Sequence, residues 1–157
     1  MSFLGKVKKK LRNGSWYPFY NTFYEKNNLD PHMILLESRS GKALESNILS
    51  LLKELCQEPY CGFTLVLSVH RDSENEIKEK LQKNSIQGVH FVRTGSVAYY
   101  HALSCAGYLV NDTSFPGRFI KKKGQIYLNT WHGTPLKKMG RLSRPIFFRG
   151  VPCQVFR

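Results

Sequence analysis

From residue 33 onward the chain alternates between two hydrophobic rhythms, and few architectures satisfy both. Met33-Ile34-Leu35-Leu36 is a short continuous apolar run, as expected of a strand buried on both faces. After the loop Ser38-Arg39-Ser40-Gly41-Lys42, Ile48, Leu51, Leu52 and Leu55 recur at helical spacing and form an amphipathic stripe. Phe63 to Val69 predicts a second strand. Ser73 with Glu76 matches a capping box and opens a more polar helix bearing Ile77 and Leu81. Val89-His90-Phe91-Val92 predicts a third strand. Ser96 is placed to cap a third helix in which Tyr99, Ala102, Leu103 and Ala106 share one face. Tyr108-Leu109-Val110 and Ile126-Tyr127-Leu128 read as the fourth and fifth strands. Strand and helix thus alternate three times before the fourth strand, which calls for right-handed crossovers. The expected class is α/β, an open parallel sheet with flanking helices.

The totals are compatible with that fold and narrow the functional classes. A chain of 157 residues, 41% hydrophobic, is long and apolar enough for one domain with a sizeable core. No apolar run approaches the roughly 20 residues of a membrane-spanning helix. The N-terminus lacks the apolar core of a secretory signal, so a cytoplasmic location is expected. Cys56, Cys61, Cys105 and Cys153 form no CxxC pair and no histidine cluster completes a zinc site, so ordinary reduced thiols are expected. The net charge of +13 calls for anionic partners: phosphorylated substrates, anionic lipid or nucleic acid.

Two basic runs stand out, one from Lys6 to Arg12 and one at Lys121-Lys122-Lys123. The first is interleaved with Phe3, Leu4, Val7 and Leu11, which suits either a helix lying on an anionic membrane surface or a solvated basic end. Trp16, Tyr17, Phe19, Tyr20, Phe23 and Tyr24 follow, as a lead-in helix or arm that packs on the domain or meets a membrane interface. Stacking on bases is the weakest option, because no ribonucleoprotein, zinc-finger or helix-turn-helix pattern accompanies these aromatics.

In open α/β sheets ligands bind beyond the carboxyl ends of the strands. The residues that follow the five expected strands are polar in every case. They are Glu37 to Gly41, then His70-Arg71-Asp72, then Arg93-Thr94-Gly95-Ser96, then Asn111-Asp112-Thr113-Ser114, and last Asn129 to Gly133. Hydroxyls, cations and glycines on one edge suit an anionic, polyhydroxy ligand. Neither GxGxxG nor GxxxxGK[ST] is present, so a dinucleotide fingerprint and a P-loop are both unsupported. His132 stands at an expected strand-to-helix turn. Gly133 permits a tight turn there, Thr134 is placed as an N-cap and Pro135 as the first helical residue. A neutral imidazole at that point can accept a proton from an attacking hydroxyl, and Lys137 and Lys138 can neutralise phosphate charge. Of the other histidines, His32 precedes a strand, His90 lies inside one, His101 is mid-helix and His70 ends a strand.

The run Leu128-Asn129-Thr130-Trp131-His132-Gly133-Thr134-Pro135-Leu136-Lys137-Lys138-Met139-Gly140 resembles the signature of the CDP-glycerol:glycerophosphotransferase family, the teichoic-acid primases and polymerases and related capsule enzymes. Glu37-Ser38-Arg39-Ser40-Gly41-Lys42 with Asn47 resembles that family's first βα loop. Tyr108 to Pro116 resembles the segment upstream of Trp-His-Gly, and Lys123-Gly124-Gln125-Ile126-Tyr127 resembles its lead-in. The resemblance implies a GT-B fold, two Rossmann-like domains facing a cleft, of which this chain would be the N-terminal, acceptor-side half. It implies His132 as general base and CDP-glycerol as donor substrate, with a second histidine on a donor domain. The acceptor hydroxyl would attack the β-phosphorus and CMP would leave. Around the substrate and its phosphates it implies Glu37, Ser38, Gly41, Asn111, Asp112, Thr113, Ser114, Trp131, Gly133, Thr134 and Lys137. No bound cofactor is implied, and the need for a metal is left open. The implied acceptors are lipid-linked polyol phosphates, which places such enzymes peripherally on the cytoplasmic face of the cell membrane.

Three regions are expected: a basic and aromatic arm over 1–30, a Rossmann-like acceptor domain over 31–140, and an atypical tail over 141–157. The tail has no acidic residue and no clear period, and does not resemble the family's continuation. The expectation is therefore a frameshifted or truncated chain, or half of a split enzyme, inactive until a partner chain supplies the donor domain. The alternative is a non-catalytic binding module for anionic polymer, lipid or nucleic acid.

Overall fold

A computed structural model describes residues 16–117 and 119–131. Helix α1 (Trp16–Lys26) precedes β1 (Asp30–Glu37). Then follow α2 (Ser46–Leu55), β2 (Thr64–Val69), α3 (Glu74–Lys83), β3 (Val89–Arg93), α4 (Val97–Cys105), β4 (Ala106–Asn111) and β5 (Ile126–Asn129). The strands form one sheet in the order β3-β2-β1-β4-β5, and every pair is parallel. The expected α/β class therefore holds. The chain steps outward from β1 to β3, then crosses back to β4, so the direction of winding reverses between β1 and β4.

The period-2 geometry of strands divides the core in two. Ile34, Leu36, Leu65, Leu67, Val69 and Val110 point to one face, where Ile48 and Leu52 of α2 and Ile77 and Leu81 of α3 cover them. Leu35, Val66 and Leu109 point to the other, against Tyr99 and Leu103 of α4 and Tyr20 of α1. Because both faces are covered, the strands read as continuous apolar runs. The edge strands β3 and β5 are the exceptions: neither has a buried residue, and Ile126 and Leu128 of β5 stay 56% and 49% exposed. They border an apolar groove shared with Leu51, Leu55, Tyr60, Phe63 and Tyr108.

The aromatic lead-in packs on the domain rather than standing apart from it. Tyr20 is buried and its hydroxyl donates to the Ile120 carbonyl at 2.7 Å. Phe23 meets His101 edge-on at 5.4 Å. The basic residues before Trp16 lie outside the described residues. In the second basic run, Lys122 is not a free surface cation. It is buried, its Nζ donates to the Asn27 carbonyl at 2.7 Å, and burial pushes its ammonium below the usual lysine range. Lys121 donates to the Gln125 carbonyl at 2.8 Å. The charge tally therefore overstates the cationic surface open to a partner.

Three local expectations are corrected. β1 begins at Asp30 rather than Met33, which places His32 inside the strand; Asp30 pairs with Ala106 across a register shift. Gly107 is required there, since a Cβ would come within 2.7 Å of the Asp30 carbonyl oxygen. The Ser73–Glu76 capping box does not form. Ser73 ends a 3-10 turn, Arg71–Ser73, and its side chain caps nothing; His70 Nδ1 accepts from the Asp72 N–H at 3.4 Å instead. Ala106 is not helical, because it takes an extended conformation and α4 passes into β4 with no loop between them. The Ser96 cap forms as expected, accepting from the Tyr99 N–H at 3.2 Å.

Candidate functional site

The carboxyl ends of the strands carry a polar row. Glu37 is in register with Ser68 on one side and with Asn111 on the other, and Asn111 is in register with Asn129. Leu35, Val66 and Leu109, two residues earlier, all face α4, so Glu37, Ser68 and Asn111 face it too. The row crosses the point where the winding reverses, the usual crevice for a ligand in such sheets. Tyr99 and Tyr100 of α4 lie over it, both buried.

Glu37 is 1% exposed. Burial raises its carboxyl above the usual range; Ser68 and Tyr99 beside it offset part of that rise, and the nearby Asp112 adds to it. One carboxylate oxygen, Oε2, and the Tyr99 hydroxyl are buried together and face each other. Burial pushes that phenol well above the usual tyrosine range, with Glu37 contributing. Asn111 is fully buried. Its Oδ1 accepts from the Tyr127 hydroxyl at 3.0 Å, while its Nδ2 and the Thr113 Oγ1 are unpartnered among the described residues.

Two of the expected binding residues are engaged with each other instead. The Ser38 hydroxyl donates to Asp112 Oδ2 at 2.7 Å, and the Arg39 N–H donates to Asp112 Oδ1 at 2.8 Å. Ser38 Oγ also accepts from the Glu45 N–H at 3.2 Å. This clamp fastens the loop after β1 to the loop after β4 and so shapes the crevice. Gly41 has a structural reason of its own. Its φ is +77°, and a Cβ there would press on Thr94 Oγ1 and lie 2.8 Å from the His70 nitrogen. Ser114 is exposed in the loop after β4.

β5 delivers the chain to the same edge. The Asn129 side chain donates to the Thr113 carbonyl at 2.6 Å and accepts from the Trp131 N–H at 2.8 Å. The Thr130 N–H donates to the Asn111 carbonyl at 2.8 Å. Asn47 Nδ2 reaches the Trp131 carbonyl at 3.4 Å. Trp131 is held in the left-handed region at φ +51°, uncommon for a bulky residue and often found where a site needs the chain aimed in one direction. His132, Gly133, Thr134 and Lys137 lie outside the described residues. Ser68, Tyr99 and Tyr127 are members of the row that the strand-end reading missed. Ser68 and Tyr127 lie inside strands and Tyr99 on a helix stripe, so only the register and the packing bring them in. Among the described residues no group of three or more His, Cys, Asp or Glu could hold a metal ion.

Residues 19–145 match the family described as CDP-glycerol:poly(glycerophosphate) glycerophosphotransferase. The chain belongs to that family. A teichoic acid poly(glycerol phosphate) polymerase of Staphylococcus epidermidis is 30% identical over 138 residues, covering 88% of this chain and 18% of the relative. A teichoic acid glycerol-phosphate transferase of Staphylococcus aureus is 27% identical over 135 residues, covering 85% of this chain and 32% of the relative. Among solved structures, the wall teichoic acid polymerase TagF matches with a TM-score of 0.64 at 24% identity, over 97% of this chain and 37% of that one. The fold is accordingly the Rossmann-like half expected of a GT-B transferase. This glycerophosphotransferase-family chain spans less than a third of the length of either relative. The family match ends at residue 145.

Proposed function

We infer that this chain is the acceptor-side part of a CDP-glycerol-dependent glycerophosphotransferase in teichoic acid or related cell-wall polymer synthesis. The observation that carries the reading is the junction at Trp131. Asn129 and Asn47 hold the residue before His132 at the carboxyl edge of the sheet, beside the Glu37–Asn111 row, in a chain of this family. In the proposed reaction His132 takes the proton of an acceptor hydroxyl. The oxygen then forms a bond to the β-phosphorus of CDP-glycerol, the bond from that phosphorus to CMP breaks, and CMP leaves. Structures of TagF that include one soaked with CDPG support this donor class. A donor domain, on a longer form of this chain or on a partner chain, would supply the nucleotide site. The acceptor would be a lipid-linked polyol phosphate, met at the inner face of the cell membrane with the basic N-terminal residues against anionic lipid. Among the described residues no helix is long and apolar enough to cross a membrane.

Mixing the purified chain with CDP-glycerol, a glycerol phosphate acceptor and a donor-domain polypeptide from a teichoic acid polymerase should release CMP. The chain alone should release none above background. His132→Ala should slow the mixture by roughly 10²- to 10⁴-fold. Release that is indifferent to that substitution would remove His132 from the role of base.

A further inference from the structure

We propose that Glu37, Asn111 and Thr113 form a hydroxyl-reading pocket that takes the uncharged glycerol end of the acceptor, while the acceptor's phosphates remain outside it. The proposal rests on the glycerophosphotransferase reading and adds which part of the acceptor this edge of the sheet recognises.

Three observations carry it. First, two buried polar atoms here are unmatched. Asn111 Nδ2 and Thr113 Oγ1 lack a hydrogen-bond partner among the described residues, Glu37 Oε2 has the Tyr99 hydroxyl facing it, and Glu37 and Asn111 are 1% and 0% exposed. Buried polar groups are nearly always paired, so such a concentration at the crevice of an α/β sheet calls for a missing partner. Second, the set is chemically mixed. It presents a carboxyl group, an amide donor and a hydroxyl. A glycerol hydroxyl both donates and accepts and can answer each of them, whereas the oxygens of an ionised phosphodiester only accept. Third, the charge is unsuited to phosphate. Two carboxyl groups, Glu37 and Asp112, lie near each other here, and the Arg39 backbone N–H donates to Asp112. The Arg39 guanidinium instead pairs with Glu45 at 3.1 Å, near the surface. Arg39, Lys42, Arg71 and Arg93 are all exposed in the surrounding loops, where a phosphate can be met in solvent.

The test is a nuclear magnetic resonance titration of the full 157-residue chain with two probes, glycerophosphoglycerol and inorganic phosphate. Glycerophosphoglycerol should shift the Asn111 side-chain amide; inorganic phosphate at the same concentration should leave it in place. Thr113→Val, which keeps the shape and removes the hydroxyl, should weaken glycerophosphoglycerol binding about fivefold. Asn111→Asp adds a third carboxyl group and should weaken it roughly tenfold or more. The amide spectrum of each variant reports whether it has folded, and Thr113→Val provides the test if Asn111→Asp does not fold. The proposal is overturned if phosphate moves the Asn111 amide as far as the diester does. It is also overturned if neither probe moves the amide, which would mean that ordered water alone fills the row, or if folded Thr113→Val binds as the parent does. The CMP-release experiment separates the two readings. CMP release without an Asn111 shift removes this pocket and leaves the transferase. An Asn111 shift without CMP release leaves a polyol site and removes the transferase.

Discussion

At the scale of single residues, the site depends on positions whose reasons differ although they sit side by side. Ser38 and Asp112 fasten two loops together, whereas Glu37 and Asn111, one residue earlier in each strand, turn towards α4, where Glu37 faces Tyr99 and the Asn111 amide has no acceptor among the described residues. Strand alternation separates the two roles, since each step along the chain turns a side chain to the other face. Gly41 shows how a residue can belong to a signature for reasons of packing. Gly41→Ala would place a methyl group against Thr94 Oγ1 and the His70 backbone at a positive φ. Overpacking and backbone strain together should lower the stability by about 2 kcal/mol or more in urea denaturation. A loss below about 0.5 kcal/mol would mean that the loop yields easily and that Gly41 is needed for something other than fit.

At the scale of elements, the helices and strands were largely legible and their ends were not. The stripe of Ile48, Leu51, Leu52 and Leu55 and the run from Leu65 to Val69 are strong local periodicities, and they produced α2 and β2. Caps depend on a single dihedral and one hydrogen bond, so a pattern of residue types is weak evidence for them. Ser96 and Ser73 test this directly. Ser96→Ala should cost about 1 kcal/mol, because its hydroxyl accepts from the Tyr99 N–H at the start of α4. Ser73→Ala should fall within about 0.5 kcal/mol of the parent, because that side chain makes no capping bond. Equal costs in thermal melts would contradict this account of the two helix starts. The α4–β4 junction was beyond local reasoning. Gln125, distant in sequence, donates to the Leu103 and Ala106 carbonyls at 3.1 and 2.8 Å and so satisfies the end of the helix where no loop exists.

At the scale of the whole molecule, Glu37 should link stability to pH. Burial keeps its carboxyl protonated to higher pH in the folded chain than in the unfolded one. The folded form therefore holds the extra proton. The contribution is complete below the ordinary carboxyl range and is lost as pH rises through the raised value. Relative to Glu37→Gln, which cannot titrate, the parent should lose stability as pH rises from about 4.5, at no more than about 1.4 kcal/mol per pH unit. Denaturation curves that run parallel across that range would show that Glu37 titrates alike in both states.

The sequence by itself determined the class of fold, the parallel sheet and the edge where polar residues gather, because apolar periodicity and strand ends are local properties of a chain. It also carried the family, through a contiguous signature that needs no folding to be read. Only the tertiary structure decided which polar residues are partners and which are left free. Glu37, Ser68, Asn111 and Asn129 form one row because of strand order and register, and those depend on which strands meet across the switch between β1 and β4. Burial and hydrogen-bond satisfaction arise from contacts between residues far apart in the chain. The difference between a clamp and a binding group therefore arises only once the sheet has assembled.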